Sequence, residues 1–276
     1  MSSPYPNSNT NVNTVVTISE EQSKILLGAV MRRVYLWMFL GLLVTAILAL
    51  YVAGSGLIVP IMRVQWVFPV LLFAELGLVM VVSLGLNRLS VSKALVIFFV
   101  YAALNGVTLS VIFLVYQLGT IGLTFFATAC LFGALSIIGY TTKTDLTRAG
   151  NFLFVGLLGL VIASVINIFF ANSTLDWLIT YAGIAIFLGL TIYDTQKIKQ
   201  LMAAALAAGP ATQGVMQGVT PGMQGMAPGM QSMSLGIRGI NQDEIIGRIG
   251  VIGALRLYLD FINLFLMLLR LTGRRR

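Results

Sequence analysis

Seven apolar runs, each about 19–22 residues long, dominate the chain: near 34–54, 66–86, 94–115, 120–140, 151–171, 177–196 and 249–270. A helix of that length crosses the roughly 30 Å hydrocarbon core of a bilayer. Lipid offers no partner to exposed backbone N–H and C=O groups, so such runs must satisfy their hydrogen bonds internally. The composition agrees, with 58% of the 276 residues hydrophobic, 9% charged and a mean hydropathy of +0.95. A soluble domain carries about 25% charged residues. The expected class is an all-α integral membrane protein with seven transmembrane helices.

Absences narrow the chemistry. With no His there is no Ser-His or Cys-His dyad and no imidazole metal site. Cys130, the one cysteine, sits in the apolar stretch TFFATACLFGAL and is expected to be buried and inert. No cofactor is expected. The net charge of +8 could suggest nucleic acid, but the basic residues lie between apolar runs rather than among aromatics. Membrane orientation accounts for them better.

Residues 1–17 are rich in Ser, Asn, Thr and Pro and are expected to form a mobile tail, with no basic and apolar signal-peptide pattern. Ser19 to Arg33 has the pattern of an interfacial helix capped by Ser19. The seven-helix domain is then expected over 18–273. An inward amino terminus places Lys24, Arg32, Arg33, Arg88, Lys93, Lys143, Arg148, Lys197, Lys199, Arg238 and Arg248 on the cytoplasmic face, and only Arg63 in an outer loop. The tail breaks this pattern, because seven crossings put Arg270 and Arg274 to Arg276 outside, unless the last segment turns back. The third and fourth runs, and the fifth and sixth, are joined so closely that each pair is expected to form an antiparallel hairpin. Residues 200–243 are dominated by Gly, Pro, Gln and Met and are expected to form a flexible cytoplasmic loop. Met202, Met216, Met223, Met226, Met230 and Met233 offer thioethers of the kind that bind Cu(I), yet no Cys or His assists them.

An ionisable group at the centre of a span costs about 2.5–3.5 kcal/mol on insertion scales. Glu75, Asp194, Arg256 and Asp260 are four such groups and must be paired, protonated or wet. On the last run Arg256, Asp260 and Asn263 follow i, i+4, i+7 spacing, with Arg270 two turns further on the same side. Such a polar stripe must face protein or water, so this helix is a candidate for the middle of the bundle. If Asp194 and Asp260 meet, a second negative charge about 4 Å away costs about 4 kcal/mol at an effective dielectric of 20. One proton would then be shared, and the pair would titrate as a unit and act as a proton switch. The plainer alternative is an i, i+4 ion pair between Arg256 and Asp260, with Asp194 reaching the inner headgroups beside Lys197. For Glu75, a protonated carboxyl bonded to a neighbouring backbone stands beside a pore-lining role.

Three stretches, GYTTKTDLTRAGNF (139–152), LGLTIYDTQKI (188–198) and ALRLYLDFINLFLMLLRL (254–271), resemble the transmembrane Bax inhibitor motif family, in its bacterial form. The resemblance covers roughly residues 20–273. It implies two three-helix layers around a central carboxy-terminal helix. It also implies a passive, pH-dependent Ca²⁺ leak in which Asp194 and Asp260 form the gate and pH sensor. Glu75 matches the family's acid in the second helix, and Arg88 is the nearest match to its latch residue, with spacing about two residues longer. Asp194, Asp260 and Glu75 would be transient Ca²⁺ ligands, with Arg256 and Asn263 further candidates along the path. Two features depart from the family pattern: the long Met/Gly loop, and Arg256 one turn from Asp260, which would shift or blunt the switch. The partners expected are the lipid bilayer, Ca²⁺ and protons, and the location a bacterial plasma membrane.

Physical chemistry makes a Ca²⁺ path plausible, since Asn105, Thr108, Asn167 and Asn263 add oxygen ligands to the carboxylates. No dense acid ring is present, which fits a slow leak better than a selective channel. A competing reading is a regulatory protein that binds a membrane-bound protease, as some bacterial relatives do, through the amino-terminal tail and the Met/Gly loop. A remoter one is an intramembrane aspartyl protease; here LYLD lacks the glycines that admit a substrate strand, and no Pro-Ala-Leu occurs. The expectation is therefore no enzymatic activity. A retinal pump is excluded, because the seventh run has no Lys for a Schiff base.

Overall fold

A computed structural model describes residues 20–64, 66–85, 90–207 and 242–273. The amino-terminal tail, Ser19, Arg88, the Met/Gly loop from 208 to 241 and Arg274 to Arg276 lie outside the described residues. Within them the structure is helical: α1 (Glu20–Gly54), α2 (Ile58–Arg63), α3 (Val67–Gly85), α4 (Val91–Leu109), α5 (Ile112–Val115), α6 (Leu118–Thr141), α7 (Thr147–Phe170), α8 (Ser173–Ala207) and α9 (Gln242–Thr272). Six helices among the described residues are long and apolar enough to cross a membrane: α1, α4 extended by α5, α6, α7, α8 and α9. The 19-residue α3 stands where the second run was expected.

Three helices are much longer than their apolar runs; α9 begins at Gln242, so residues 242–243 of the expected loop are helix. The expected interfacial helix and the first span form one rod, α1, of 35 residues. The sixth span likewise runs on to Ala207, so residues 200–207 are helix rather than loop, and Met202 is fully buried. Ala, Leu and Met are strong helix formers, which explains why LMAAALA continues the rod to Ala207.

The helices sort into two groups around α9. On one side α4 packs on α1 and α3; on the other α8 packs on α6 and α7. α9 touches α1, α4, α6 and α8, and buried positions make up 61% of its apolar stretch against 6% in α7. The carboxy-terminal helix is thus central, with Ala254, Leu257, Tyr258 and Leu264 fully enclosed. One expected hairpin changes character. α7 and α8 pack along each other, whereas α4 and α6, joined through Tyr116 and Gln117, each pack on α9 instead. The outer face of α7 is apolar, with Phe152, Phe154 and Phe169 exposed for lipid.

Short polar residues set the turns. After α7, Ala171 adopts the left-handed conformation at φ 47°, Asn172 N–H donates to Asn167 Oδ1, and Asn172 Oδ1 accepts from the N–H groups of Thr174 and Leu175. That side chain starts α8 as a cap does. At the other face Asp145 Oδ1 accepts from Thr147 N–H at 3.0 Å and Thr147 Oγ1 at 2.6 Å, which starts α7. The two bonds from Thr147 hold the exposed Asp145 carboxyl below the usual carboxylate range. Because the folded value is depressed, the contribution is complete above the unfolded value of about 4 and lost as pH falls through the folded one. The melting-temperature advantage of the wild type over Asp145→Ala is therefore expected to stay constant from neutral pH to about 4 and to fade below it. Thermal melts in detergent at stepped pH check this.

Candidate functional site

The string Tyr-Asp-Thr-Gln-Lys-Ile on α8 is engaged on every side. A Cβ on Gly150 of α7 would lie 2.2 Å from the Tyr193 ring, so any larger residue there would have to displace that ring. A Cβ on Gly139 of α6 would lie 2.5 Å from the Ile192 carbonyl oxygen and 3.0 Å from Thr195 Cβ. Small residues at such crossings let membrane helices approach closely. Gln196 clasps the α6–α7 connection: its Nε2 donates to the Thr144 carbonyl at 2.7 Å and its Oε1 accepts from Leu146 N–H at 3.2 Å. Lys199 donates to the Tyr140 carbonyl and lies 5.2 Å from that ring's centroid.

Asp194, held among these contacts, turns toward α9. Arg256 Nη1 lies 3.5 Å from Asp194 Oδ1. The Asp194 and Asp260 carboxyl groups interact directly with each other. Asp260 is 5% exposed, and its Oδ2 has no hydrogen-bond partner among the described residues. Thr195 Oγ1 and Ser136 Oγ, on the adjoining α8 and α6, are likewise buried without partners there. Asp194 lies 13 residues before the end of α8 at Ala207, well inside the helix, where it meets Asp260. Arg256 thus bridges to the neighbouring helix rather than forming a purely local pair with Asp260.

The arrangement can exist in three charge states. With one proton shared by the carboxylates the cluster of Asp194, Asp260 and Arg256 is neutral. With both ionised it carries one net negative charge, and with both protonated one net positive charge. Neutrality is the state that hydrocarbon surroundings tolerate best.

Glu75 lies elsewhere. It accepts a 2.6 Å hydrogen bond from Thr108 Oγ1, which links α3 to α4. Among the described residues no three acids gather as a metal cluster, so a single Ca²⁺ site of Asp194, Asp260 and Glu75 is not formed. Asn263 is half-buried on α9, Asn105 is buried in α4 and Asn167 bonds to the Asn172 turn and Asp176. Removing the Glu75 partner with Thr108→Val is expected to destabilise the protein by about 1–3 kcal/mol, because it strands a half-buried carboxyl. In a thermal double-mutant cycle, adding Glu75→Leu should recover most of that loss.

Some polar contacts escaped the sequence reading. Tyr258, on the face of α9 opposite Asp260, lies with its hydroxyl 2.7 Å from Thr45 Oγ1, and Thr45 donates to the Ala102 carbonyl. Arg270 pairs with Asp176 in the first turn of α8. That bond answers the question of the last segment: α9 runs antiparallel to α8 over its full length and does not turn back. The only sequence signal was an acid at the start of the sixth run, opposite a base near the end of the seventh. Cys130 is exposed on α6 rather than buried, because α6 turns that side away from α8 and α9.

These features define an all-α, multi-pass membrane protein whose central last helix holds an acid pair against its neighbour. The model of the family described as inhibitor of apoptosis-promoting Bax1 matches residues 27–276. The inner membrane protein YbhL of Escherichia coli K12 is 40% identical over 247 residues, covering 89% of this chain and 92% of its own. An uncharacterized protein of Borreliella burgdorferi is 37% identical over 264 residues, 95% of this chain and 99% of its own. The uncharacterized protein RP147 of Rickettsia prowazekii is 35% identical over 246 residues, 89% of each chain. The chain belongs to the Bax inhibitor family and is a bacterial-type member of it.

Proposed function

We propose that this protein is a passive, pH-sensitive Ca²⁺ leak, gated by the proton that Asp194 and Asp260 share. One observation carries the reading: two carboxyl groups from α8 and α9 meet inside the bundle, one with a buried oxygen that has no donor among the described residues. A buried carboxylate oxygen left bare is costly, and a proton or a cation relieves it. The same group can therefore hold a proton in one state and meet a passing divalent ion in another. Arg256, about 38% exposed, reaches the pair from its wetter side and sets the net charge of the cluster. With only two carboxylates, the site suits brief contact with Ca²⁺ rather than retention, since a stable Ca²⁺ site gathers 6–8 oxygen ligands.

In this reading the amino terminus is cytoplasmic, the membrane is the bacterial plasma membrane, and the chemistry is permeation rather than catalysis. The protease-regulator reading rests on the tail and the Met/Gly loop, both outside the described residues, and no observation favours it. The test is Ca²⁺ uptake into dye-loaded proteoliposomes between about pH 5 and 8, a window that spans titration of a coupled acid pair. Uptake that varies with pH in the wild type is expected. Uptake no greater than in protein-free vesicles would overturn the proposal.

A further inference from the structure

Between α1 and α6 runs an apolar groove of about 770 Å³. It exists because these two helices each pack on α9 but not along each other, and α9 contributes Phe261 to its lining. On α1 the lining extends from Gly28 to Ala46 and on α6 from Phe125 to Tyr140. At 1.5 Å per residue, both stretches are roughly 25 Å long, close to the thickness of the hydrocarbon core. The volume falls within the range of about 300–1,000 Å³ usual for small-ligand sites.

The two ends of the groove differ. One end is wholly apolar, whereas the other gathers Arg32, Tyr35 and Tyr140. Arg32 is exposed there and forms no ion pair with any described residue. Lys199 stands against Tyr140 at the same end. Among the described lining residues there is no acid. A slot shaped for an acyl chain, with cations and hydroxyls at one mouth, complements an amphiphile that has a hydrocarbon tail and a negative headgroup.

We infer that the α1–α6 groove binds one anionic phospholipid, its acyl chain along the slot and its phosphate at Arg32. The inference is independent of the leak, since it uses neither aspartate. A cation near a membrane surface favours an anionic over a zwitterionic headgroup by about fivefold.

Native mass spectrometry of the full-length protein in detergent, offered dioleoyl phosphatidylglycerol and dioleoyl phosphatidylcholine in equal amounts, tests it. The wild type should retain one phospholipid per chain, preferring phosphatidylglycerol by about fivefold. Arg32→Gln should keep a lipid but lose the preference. Gly133→Phe should lose both lipids, because a Cβ at Gly133 meets nothing within 4 Å and the ring would occupy the slot. Ala129→Leu, also on the lining, serves if Gly133→Phe fails to give a monodisperse protein. Lipid retained equally by the wild type and the filled variants would overturn the proposal, as would a headgroup preference that survives Arg32→Gln. So would a lipid-free dimer that Gly133→Phe dissociates, which would assign the groove to a second copy of this chain.

Discussion

Asp194→Asn and Asp260→Asn are each expected to abolish the pH response of Ca²⁺ uptake into proteoliposomes. The two carboxyls lie together beside Arg256, so the number of protons they hold sets the net charge of the cluster. A single titrating proton changes a flux by at most about tenfold per pH unit. With one amide in place no like charge competes, and the remaining carboxylate pairs with Arg256 as a neutral unit. Flux should then vary less than about twofold across the window where the wild type responds. The substitution preserves shape, so helix packing is retained. Glu75→Gln should leave the pH profile unchanged, because Glu75 bonds to Thr108 between α3 and α4 and does not join the pair. An unaltered pH profile in both aspartate variants would refute the gate, and loss of the response in Glu75→Gln would place the sensor elsewhere.

Gly139→Val is expected to be among the most damaging substitutions in the chain. Its Cβ would meet the Ile192 backbone oxygen at 2.5 Å, and a helix backbone cannot swing aside as a flexible side chain can. Overpacking of this kind costs about 1–3 kcal/mol. Since Thr195 is the other near neighbour, separating α6 from α8 also displaces the residue next to Asp194. The variant should therefore melt earlier in detergent and show a displaced pH profile of Ca²⁺ uptake. Gly122→Ala on the same helix is the control: an added Cβ meets nothing within 4 Å, and Ala favours helix over Gly by up to about 1 kcal/mol. Equal melting of Gly139→Val and the wild type would show that α6 and α8 do not approach each other this closely in the membrane.

How legible the candidate site was depended on the range of the interaction. The polar stripe on α9 was visible because Arg256, Asp260 and Asn263 recur at helical spacing within one run. Its central position followed, since nothing polar could face lipid. Asp194 was singled out as an acid within a span. That Arg256 would reach Asp194, that Thr108 would meet Glu75, and that Tyr258 would meet Thr45 were not visible, because each contact joins residues 33 to 213 positions apart or lies between separate helices. Cys130 was misread for the same reason: an apolar neighbourhood in sequence is as compatible with a lipid-facing surface as with a packed core. In a membrane both are greasy, and hydropathy does not separate them.

By itself, the amino-acid order determined that this chain crosses a bilayer several times as helices and where each crossing lies within a few residues. Hydrocarbon thickness and the need to pair every backbone amide leave no other solution for runs of that length. Only the tertiary structure decided which faces of those rods meet, that α4 and α6 part to pack on α9, and that a groove opens between α1 and α6. Those outcomes depend on close approaches such as Gly139 against Ile192 and Gly150 against Tyr193, short-range packing that no single helix encodes alone.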